Sequence, residues 1–290
     1  MNYRHAYHAG NFADVVKHAV LARILDRLGR KDAPYRVLDT HAGVGLYDLA
    51  ADEALKTGEW RGGVGRVLEA TPSPALAEFL APWRQALREV NGGDHVLVYP
   101  GSPAVATALG RPQDRFVFNE LHPIDADQLA ATFARDRRVR VTAEDGWIMP
   151  RAQLPPEERR GVLVVDPPFE EAGEFDRLVR AMRDAHRRFA TGVQLLWYPA
   201  KGAGAVADFH AAVAAGPVRR VLRIDHWIRR PTVDGPLAGA GMLVVNPPWP
   251  LADEIAGVID ELAALLAAGP GARGRVDWLV DEDGRPAADA

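Results

Sequence analysis

The sequence predicts an α/β fold, in which a seven-stranded, largely parallel sheet is covered by helices on both faces. Short apolar runs alternate with helical patterns along most of the chain, and the runs number seven. The chain has 290 residues, of which 48% are hydrophobic, so it can build a core of that size. The predicted strands span residues 35–38, 116–118, 139–142, 162–165, 193–197, 221–224 and 242–245.

Helical patterns separate these strands in the order that a layered sheet requires. An apolar helix at residues 19–25 precedes the first strand, and Ser102 can cap a helix that has Pro103 at its first position. Later helices are predicted at residues 125–135, 175–189, 206–214 and 254–266. No internal repeat interrupts this alternation.

One connection is too long for a simple strand-helix-strand unit, which takes about 30 residues. About 70 residues separate the turn after the first strand from the second strand. Within this interval, residues 50–69 and 75–90 have helical patterns that Thr71-Pro72-Ser73-Pro74 interrupts. We therefore predict an inserted helical subdomain at residues 48–93, with residues 1–47 and 94–290 forming the main domain.

The first 18 residues combine aromatic, basic and histidine side chains. Because the apolar helix at residues 19–25 follows directly, this segment has an anchor on the sheet and is expected to order as a flap over the functional site. His5 and His8 lack a third ligand at suitable spacing, so we expect no metal site here.

Composition and charge narrow the class of protein. The 35 basic and 39 acidic side chains give a net charge of −4, which leaves a nucleic-acid partner open because a local basic patch can coexist with an acidic average. The absence of cysteine excludes disulfides, thiolate metal sites and cysteine nucleophiles. No signal-like segment or membrane-spanning run is apparent, so a soluble cytoplasmic protein is expected.

Acidic and glycine residues follow the first three predicted strands. Asp39 ends the first strand, and Gly43 and Gly45 lie in the turn after it, where glycine lets a ligand approach the backbone. The third glycine of the dinucleotide fingerprint is missing, which argues against NAD. Glu120 can accept the hydrogens of a ribose diol, and Asp145-Gly146 can lie against an adenine. Together these residues predict a ligand site at the carboxyl edge of the sheet.

The fourth strand ends in Asp166-Pro167-Pro168-Phe169. This turn resembles the motif of S-adenosylmethionine-dependent methyltransferases that modify exocyclic amines, chiefly N6 of adenine. Such an amine reacts only when acceptors draw on its N–H groups, and a rigid turn supplies the Asp166 carboxylate and the Pro167 carbonyl. Phe169 can then stack on the base. A second such motif, at residues 246–249, is interpreted as structural, because the last strands of methyltransferases usually lie away from the methyl group.

Long motifs throughout the chain resemble the bacterial RlmJ-type 23S ribosomal RNA adenine-N6 methyltransferases. They are YRHAYHAGNFADVVKHAVL, THAGVG, YPGSP, NELHP, DPPF, ATGVQLLWYP and GMLVVNPPW, together with the helical insertion. This resemblance implies a Rossmann-like class I S-adenosylmethionine-dependent methyltransferase fold. Tyrosine is commoner in that family where this chain has Phe169, which keeps the stacking surface and lacks the hydroxyl.

The resemblance also implies which residues act. Asp166, Pro167 and Phe169 would act on the target amine, and Tyr3 and Arg4 would contact RNA. It implies S-adenosylmethionine as cofactor, S-adenosylhomocysteine as product, no metal, and a monomer acting on 23S ribosomal RNA, either protein-free or in an early assembly intermediate. The implied cofactor contacts are His18, His41, Gly43, Ser102, Glu120, Asp145, Gly146 and Asp166.

Two alternatives remain at the level of sequence. A DNA adenine methyltransferase would share the Asp166 motif but normally carries a separate base-reading module, which is not apparent unless the insertion serves. A catalytically silent RNA-binding protein could use the same scaffold, although the intact Asp166 and glycine turn argue against it. In the leading hypothesis, one adenine is flipped out of an RNA helix before methylation, because its amine is otherwise paired and stacked.

Overall fold

A computed structural model describes residues 4–232 and 235–286 of the chain. Its central sheet has eight strands in the order β10-β8-β9-β7-β6-β1-β4-β5, and β2 and β3 form a separate antiparallel pair. The strands are β1 (Arg36–Asp39), β2 (Leu46–Asp48), β3 (Val98–Pro100), β4 (Arg115–Asn119), β5 (Val139–Thr142), β6 (Gly161–Val165), β7 (Val193–Pro199), β8 (Val221–Trp227), β9 (Gly239–Val245) and β10 (Arg273–Val280).

The strand directions create one edge where five strands end. Strands β5, β4, β1, β6 and β7 are mutually parallel, so their carboxyl ends share an edge, called here the carboxyl edge. Strand β9 runs antiparallel to β7 and β8, and β10 runs antiparallel to β8. The β8–β9 hairpin therefore also lies at the carboxyl edge, whereas β9 ends at the opposite one.

The predicted fold class is confirmed, and the predicted count of seven strands is one short. The missing strand is β10, which pairs with β8 at the end of the sheet. Only its last two residues, Leu279 and Val280, are buried. An edge strand that is mostly half-exposed lacks the continuous apolar run by which the other strands were recognised.

Eleven α-helices connect these strands in the described part of the chain. They are α1 (Phe12–Gly29), α2 (Asp52–Thr57), α3 (Arg66–Glu69), α4 (Pro74–Asn91), α5 (Ser102–Leu109), α6 (Pro123–Phe133), α7 (Met149–Gln153), α8 (Glu174–Arg188), α9 (Ala203–Ala214), α10 (Leu251–Ala256) and α11 (Ile259–Leu265). Alternate residues of one strand serve opposite layers: Val37 belongs to the core beneath α1, and Leu38 to the core beneath α8.

Helix α1 is longer than the predicted apolar segment at residues 19–25. It begins at Phe12, because the Asn11 side chain accepts hydrogen bonds from the backbone N–H groups of Ala13 and Asp14. Residues 12–25 are all buried, so residues 12–18 of the expected flap lie in a core helix. Residues 4–11, which include a short 3-10 turn at His5–Tyr7, precede it.

The inserted segment contributes its apolar side chains to the main core. Helix α4 packs on α1, and Leu80 and Trp83 are fully buried in the same cluster as the α1 side chains. The predicted helix at residues 50–69 is instead divided into α2, a π-helical turn at Arg61–Gly65, and α3. The division into two domains stays a prediction, since the two parts share one core.

No helix in the described residues combines the length and hydrophobicity needed to cross a membrane.

Candidate active site

A cleft of about 940 Å³ lies along the carboxyl edge. It is lined by the turns that follow β1, β4, β5 and β6, by the start of α5, and by one face of α1 near its N-terminus. Parallel sheets bind ligands at this edge because the loops after the strands converge there. The cleft brings together these residues singled out in the sequence: His18, His41, Gly43, Ser102, Glu120, Asp145, Gly146, Asp166, Pro167 and Phe169.

The end of β1 holds a buried carboxyl group. Asp39 is 0% exposed, and it accepts hydrogen bonds from Ser102 Oγ at 2.6 Å and from the His41 backbone N–H at 3.2 Å. Burial raises the pKa of Asp39 to about 6, although both hydrogen bonds oppose the shift. Ser102, which the resemblance assigned to the cofactor, thus ties the start of α5 to the end of β1.

The glycine turn after β1 positions Glu120. Gly43 has a φ of +60°, and a Cβ there would lie 2.1 Å from the Tyr47 hydroxyl oxygen, so only glycine fits. The Gly43 N–H donates to Glu120 Oε2, and the His122 N–H donates to Oε1, both at 2.9 Å. The carboxylate is thereby fixed by backbone donors, and each oxygen has a remaining lone pair that can accept from a diol.

The turn after β5 packs closely against the turn after β1. A Cβ on Gly146 would lie 2.5 Å from the Thr40 carbonyl oxygen. The Asp145 carboxylate accepts from the Trp147 backbone N–H at 2.9 Å, and the Trp147 ring meets the His41 ring edge-on at 5.5 Å. His41 reaches the cleft surface but is surrounded by protein atoms, and this burial lowers its pKa to about 4.

Helix α1 places a buried lysine between two carboxylates. Lys17 Nζ lies 2.9 Å from Asp14 Oδ1 and donates a hydrogen bond to Asp166 Oδ2. Asp14 also accepts from His5 Nε2 at 2.8 Å and from the Gly10 backbone N–H at 2.9 Å. Lys17 and Asp14 are 4% and 2% exposed, so water screens this network little.

The pKa shifts in this network favour the charged forms of Lys17 and Asp14. Burial opposes the charged form of Lys17, but Asp14 and Asp166 outweigh it and raise the pKa of Lys17 above its usual value. Burial likewise opposes the ionised form of Asp14, but His5 and Lys17, together with the hydrogen bond from His5, lower its pKa well below the usual range. Lys17 is therefore a cation that contacts two carboxylates in the cleft.

His18 lies one residue further along α1 and is 1% exposed. Its Nδ1 is 2.8 Å from the Tyr99 hydroxyl oxygen, while Nε2 is buried without a hydrogen-bond partner. Burial lowers the pKa of His18 to about 3, so its imidazole is neutral at pH 7. Nε2 lies 4.0 Å from Asp14 Oδ1, too far for a hydrogen bond, so on a residue that lines the cleft it can still bond to a ligand.

The turn after β6 presents the Asp166 motif to the cleft. Phe169 has a φ of +52°, and its ring packs edge-on against Phe175 at 5.0 Å and Trp197 at 5.9 Å between centroids. The similar motif at Asn246 lies at the opposite edge, because Val245 pairs with Gln194 near the start of β7. There the Asn246 side chain donates to two backbone carbonyls of the loop before β7.

Arg4, one of the two residues expected to contact RNA, does not belong to this group. Arg4 is not among the residues that line the cleft, and its guanidinium contacts Asp125 at 3.3 Å and Glu53 at 3.6 Å. Tyr3 lies outside the described residues. No cluster of three His, Cys, Asp or Glu side chains suited to a metal occurs within residues 4–232 and 235–286.

Sequence reasoning missed Lys17 as a site residue. The pattern that could have found it is a charged pair, Asp14 and Lys17, spaced three residues apart in the largely apolar first half of the helix. Charged side chains at buried positions need partners, so this pair predicts a third charged group facing the helix. The identity of that group, Asp166, depends on a contact across 149 positions of the chain.

Comparisons with known proteins agree with this architecture. The family model described as "Ribosomal RNA large subunit methyltransferase D, RlmJ" matches residues 32–280. Ribosomal RNA large subunit methyltransferase J of Haemophilus influenzae is 36% identical over 283 residues, covering 97% of this chain and all of the relative. The protein of the same name from Escherichia coli K12 matches with the same identity and coverage.

A solved structure supports the same relationship. The crystal structure of a Legionella pneumophila protein aligns with a TM-score of 0.83 and 31% sequence identity, covering 93% of this chain and 98% of the other. The fold is thus the Rossmann-like α/β fold of methyltransferases, as the sequence predicts. With a family model that spans most of the chain and relatives that match over their full length, the chain belongs to the RlmJ family of ribosomal RNA large subunit methyltransferases.

Proposed function

We propose that this protein transfers a methyl group from S-adenosylmethionine to the exocyclic N6 amine of one flipped adenine in 23S ribosomal RNA. The observation that carries the proposal is the Asp166-Pro167-Pro168-Phe169 turn, which lines the carboxyl-edge cleft beside the glycine turn after β1. The names of the relatives support ribosomal RNA as the substrate class. Asp166, Pro167 and Phe169 are the proposed catalytic residues.

The cleft suits a nucleoside cofactor. Its volume of about 940 Å³ lies within the range of small-molecule sites and leaves room for a base beside the cofactor. At Gly43 and Gly146 a Cβ would collide with neighbouring atoms, so the turns after β1 and β5 need these glycines to adopt their observed shape. Glu120 is placed to accept from the ribose diol, and the unpartnered Nε2 of His18 can meet a polar group of the cofactor.

S-adenosylmethionine supplies an electrophilic methyl group when bound. The protein's part is to make the N6 nitrogen nucleophilic, since its lone pair is delocalised into the adenine ring. Asp166 Oδ2 is bound by Lys17, which leaves Oδ1 to accept one N6 hydrogen, and the Pro167 carbonyl can accept the other. As the amine gains the methyl group it must lose one proton, for which Asp166 Oδ1 is the proposed acceptor, and both acceptors would stabilise the positive charge that develops on the nitrogen.

Lys17 orients Asp166 in this mechanism. The ion pair with Lys17 holds the Asp166 carboxylate in one orientation. Phe169 offers its ring to the adenine, and Phe175 and Trp197 pack behind it, so the stacking surface is rigid. Tyr3 and Arg4 stay proposed RNA contacts at the N-terminal segment.

The test is methyl transfer by an Asp166→Asn variant, with tritiated S-adenosylmethionine and unmodified 23S ribosomal RNA transcribed in vitro. The amide keeps the side-chain shape but replaces an acceptor with a donor, so the initial rate should fall by about 10² or more. Digestion of the product RNA and mass spectrometry of its nucleosides should give N6-methyladenosine.

Asp208→Asn is the matched control, because Asp208 lies on the exposed face of α9 away from the cleft lining. It should methylate RNA at the normal rate. Near-normal turnover by Asp166→Asn, or methylation of another base or nucleobase atom, would refute the proposed chemistry. Methylation of duplex DNA at a higher rate than RNA would favour the DNA alternative.

A further inference from the structure

The charges along the cleft are not evenly distributed. The end formed by the turns after β4 and β5 carries Glu120, Asp125 and Asp145. Toward β7 and the β8–β9 hairpin, the cleft is lined by these described residues from Trp197 onward: Trp197, Pro199, Lys201, Ile228, Arg229, Pro236, Leu237, Leu266 and Ala268. None of these nine is acidic, and two are basic. Glu170, Glu171 and Glu174, which follow β6, also line the cleft.

A third cation reaches this end from the inserted segment. Arg66, the first residue of α3, lines the cleft and donates a hydrogen bond to the Ala267 carbonyl in the loop between α11 and β10. Of the basic residues in the insertion, Lys56, Arg61, Arg84 and Arg88 do not line the cleft. Arg66 thus connects the insertion to the wall of the cleft opposite the acidic end.

These three cations differ from the other lysine and arginine side chains of the cleft in their pairing. Lys17 is neutralised by Asp14 and Asp166, and Arg177 lies 2.7 Å from Glu171. By contrast, Arg66, Lys201 and Arg229 form no ion pair with any carboxylate in the described part of the chain; Arg229 donates only to the Leu237 carbonyl, at 3.0 Å. Cations without a carboxylate partner, in a cleft that apolar side chains also line, are suited to bind an anionic group of a ligand.

We propose that Arg66, Lys201 and Arg229 form a phosphate-binding wall that holds the RNA backbone on either side of the flipped nucleotide. This proposal rests on the proposed function. The apolar floor of Trp197, Ile228 and Leu237 takes the sugar or the base next to the target, and the wall neutralises the phosphates that follow. The cofactor occupies the acidic end, so the two ligands meet at Asp166, which lies between them.

The experiment measures binding of unmodified 23S ribosomal RNA by filter retention across a range of salt concentrations, for Arg66→Gln, Lys201→Gln, Arg229→Gln and the triple variant. Loss of one phosphate contact should lower the slope of log K against log salt by about 0.7, and the triple variant should lose about 2. Arg137→Gln is the matched control, because Arg137 is exposed before the start of β5 and does not line the cleft.

S-adenosylmethionine affinity should stay at the wild-type value in all four variants, and thermal unfolding should show that each is folded at the assay temperature. An unchanged slope of log K against log salt in the triple variant, or an equal change in Arg137→Gln, would refute the proposed phosphate-binding wall. A reduced slope would support the phosphate-binding wall even if the wild-type protein failed to methylate adenine. The experiment therefore tests RNA binding by the wall independently of the proposed methylation. Reduced S-adenosylmethionine affinity with an unchanged slope would instead assign these cations to the cofactor.

Discussion

Replacing Lys17 with methionine should reduce both stability and methyl transfer, for reasons that can be separated. The substitution keeps the length of the side chain and removes a cation that is 4% exposed. Asp14, 2% exposed, would then lose one of its two charged contacts and keep His5 Nε2 at 2.8 Å. Breaking a buried ion pair costs about 3–5 kcal/mol, and because His5 remains we expect the lower end, about 3 kcal/mol.

The effect on rate comes from Asp166, which would lose the cation that contacts Oδ2. Its orientation would be less fixed, so methyl transfer should fall by about 10². The assay is single-turnover transfer from tritiated S-adenosylmethionine to 23S ribosomal RNA. It is run at a temperature where urea unfolding shows that the variant is folded.

A second variant, Lys17→Met with Asp14→Asn, distinguishes the two effects. It removes the buried charge on Asp14 that has lost Lys17, so we expect part of the lost stability to return, on the order of 1–2 kcal/mol. The rate should stay low, because Asp166 still lacks its cation. If the double variant regained both stability and rate, Lys17 would be a structural residue only. A normal rate in the single variant would refute the argument about Asp166.

Two further predictions concern Asp39 and Asn246. The pKa of Asp39 is raised from 3.8 to about 6 by burial, so its contribution to stability is present below pH 4 and is lost as the pH rises through 6. Asp39→Asn lacks this titration. In urea titrations, the free energy of unfolding of the variant minus that of wild type should therefore increase between pH 4 and pH 8, by up to about 3 kcal/mol. A difference that stays constant with pH would show that Asp39 titrates normally. Asn246→Ala should lower the free energy of unfolding by about 2–3 kcal/mol, because it loses two hydrogen bonds at a φ of +51°. Its rate of methyl transfer should be normal below the unfolding temperature, and a loss like that of Asp166→Asn would contradict the choice between the two motifs.

The sequence predicts most strands of this protein because the signal is local. Strands β1, β4, β6, β7 and β9 are buried along most of their length and read as short apolar runs. The residues at the end of a parallel strand must lie at its carboxyl edge, so Asp39, Glu120 and Asp166, at the ends of the neighbouring strands β1, β4 and β6, share one edge of the sheet. Strand β10 was missed because its pairing with β8, rather than its own hydrophobicity, makes it a strand.

Several features of the site are decided only by the path of the chain. The sequence shows a charged pair in α1, but which carboxylate meets Lys17 depends on how α1 packs over the end of β6. Arg4 was expected to meet phosphate, and it lies against Asp125 and Glu53. Composition gave no sign that Arg66 of the insertion would reach the same cleft as Lys201 and Arg229. Hydrophobic periodicity depends on neighbours a few residues away and is encoded along the chain, whereas the energy of a charge depends on burial and on partners that folding brings from distant positions.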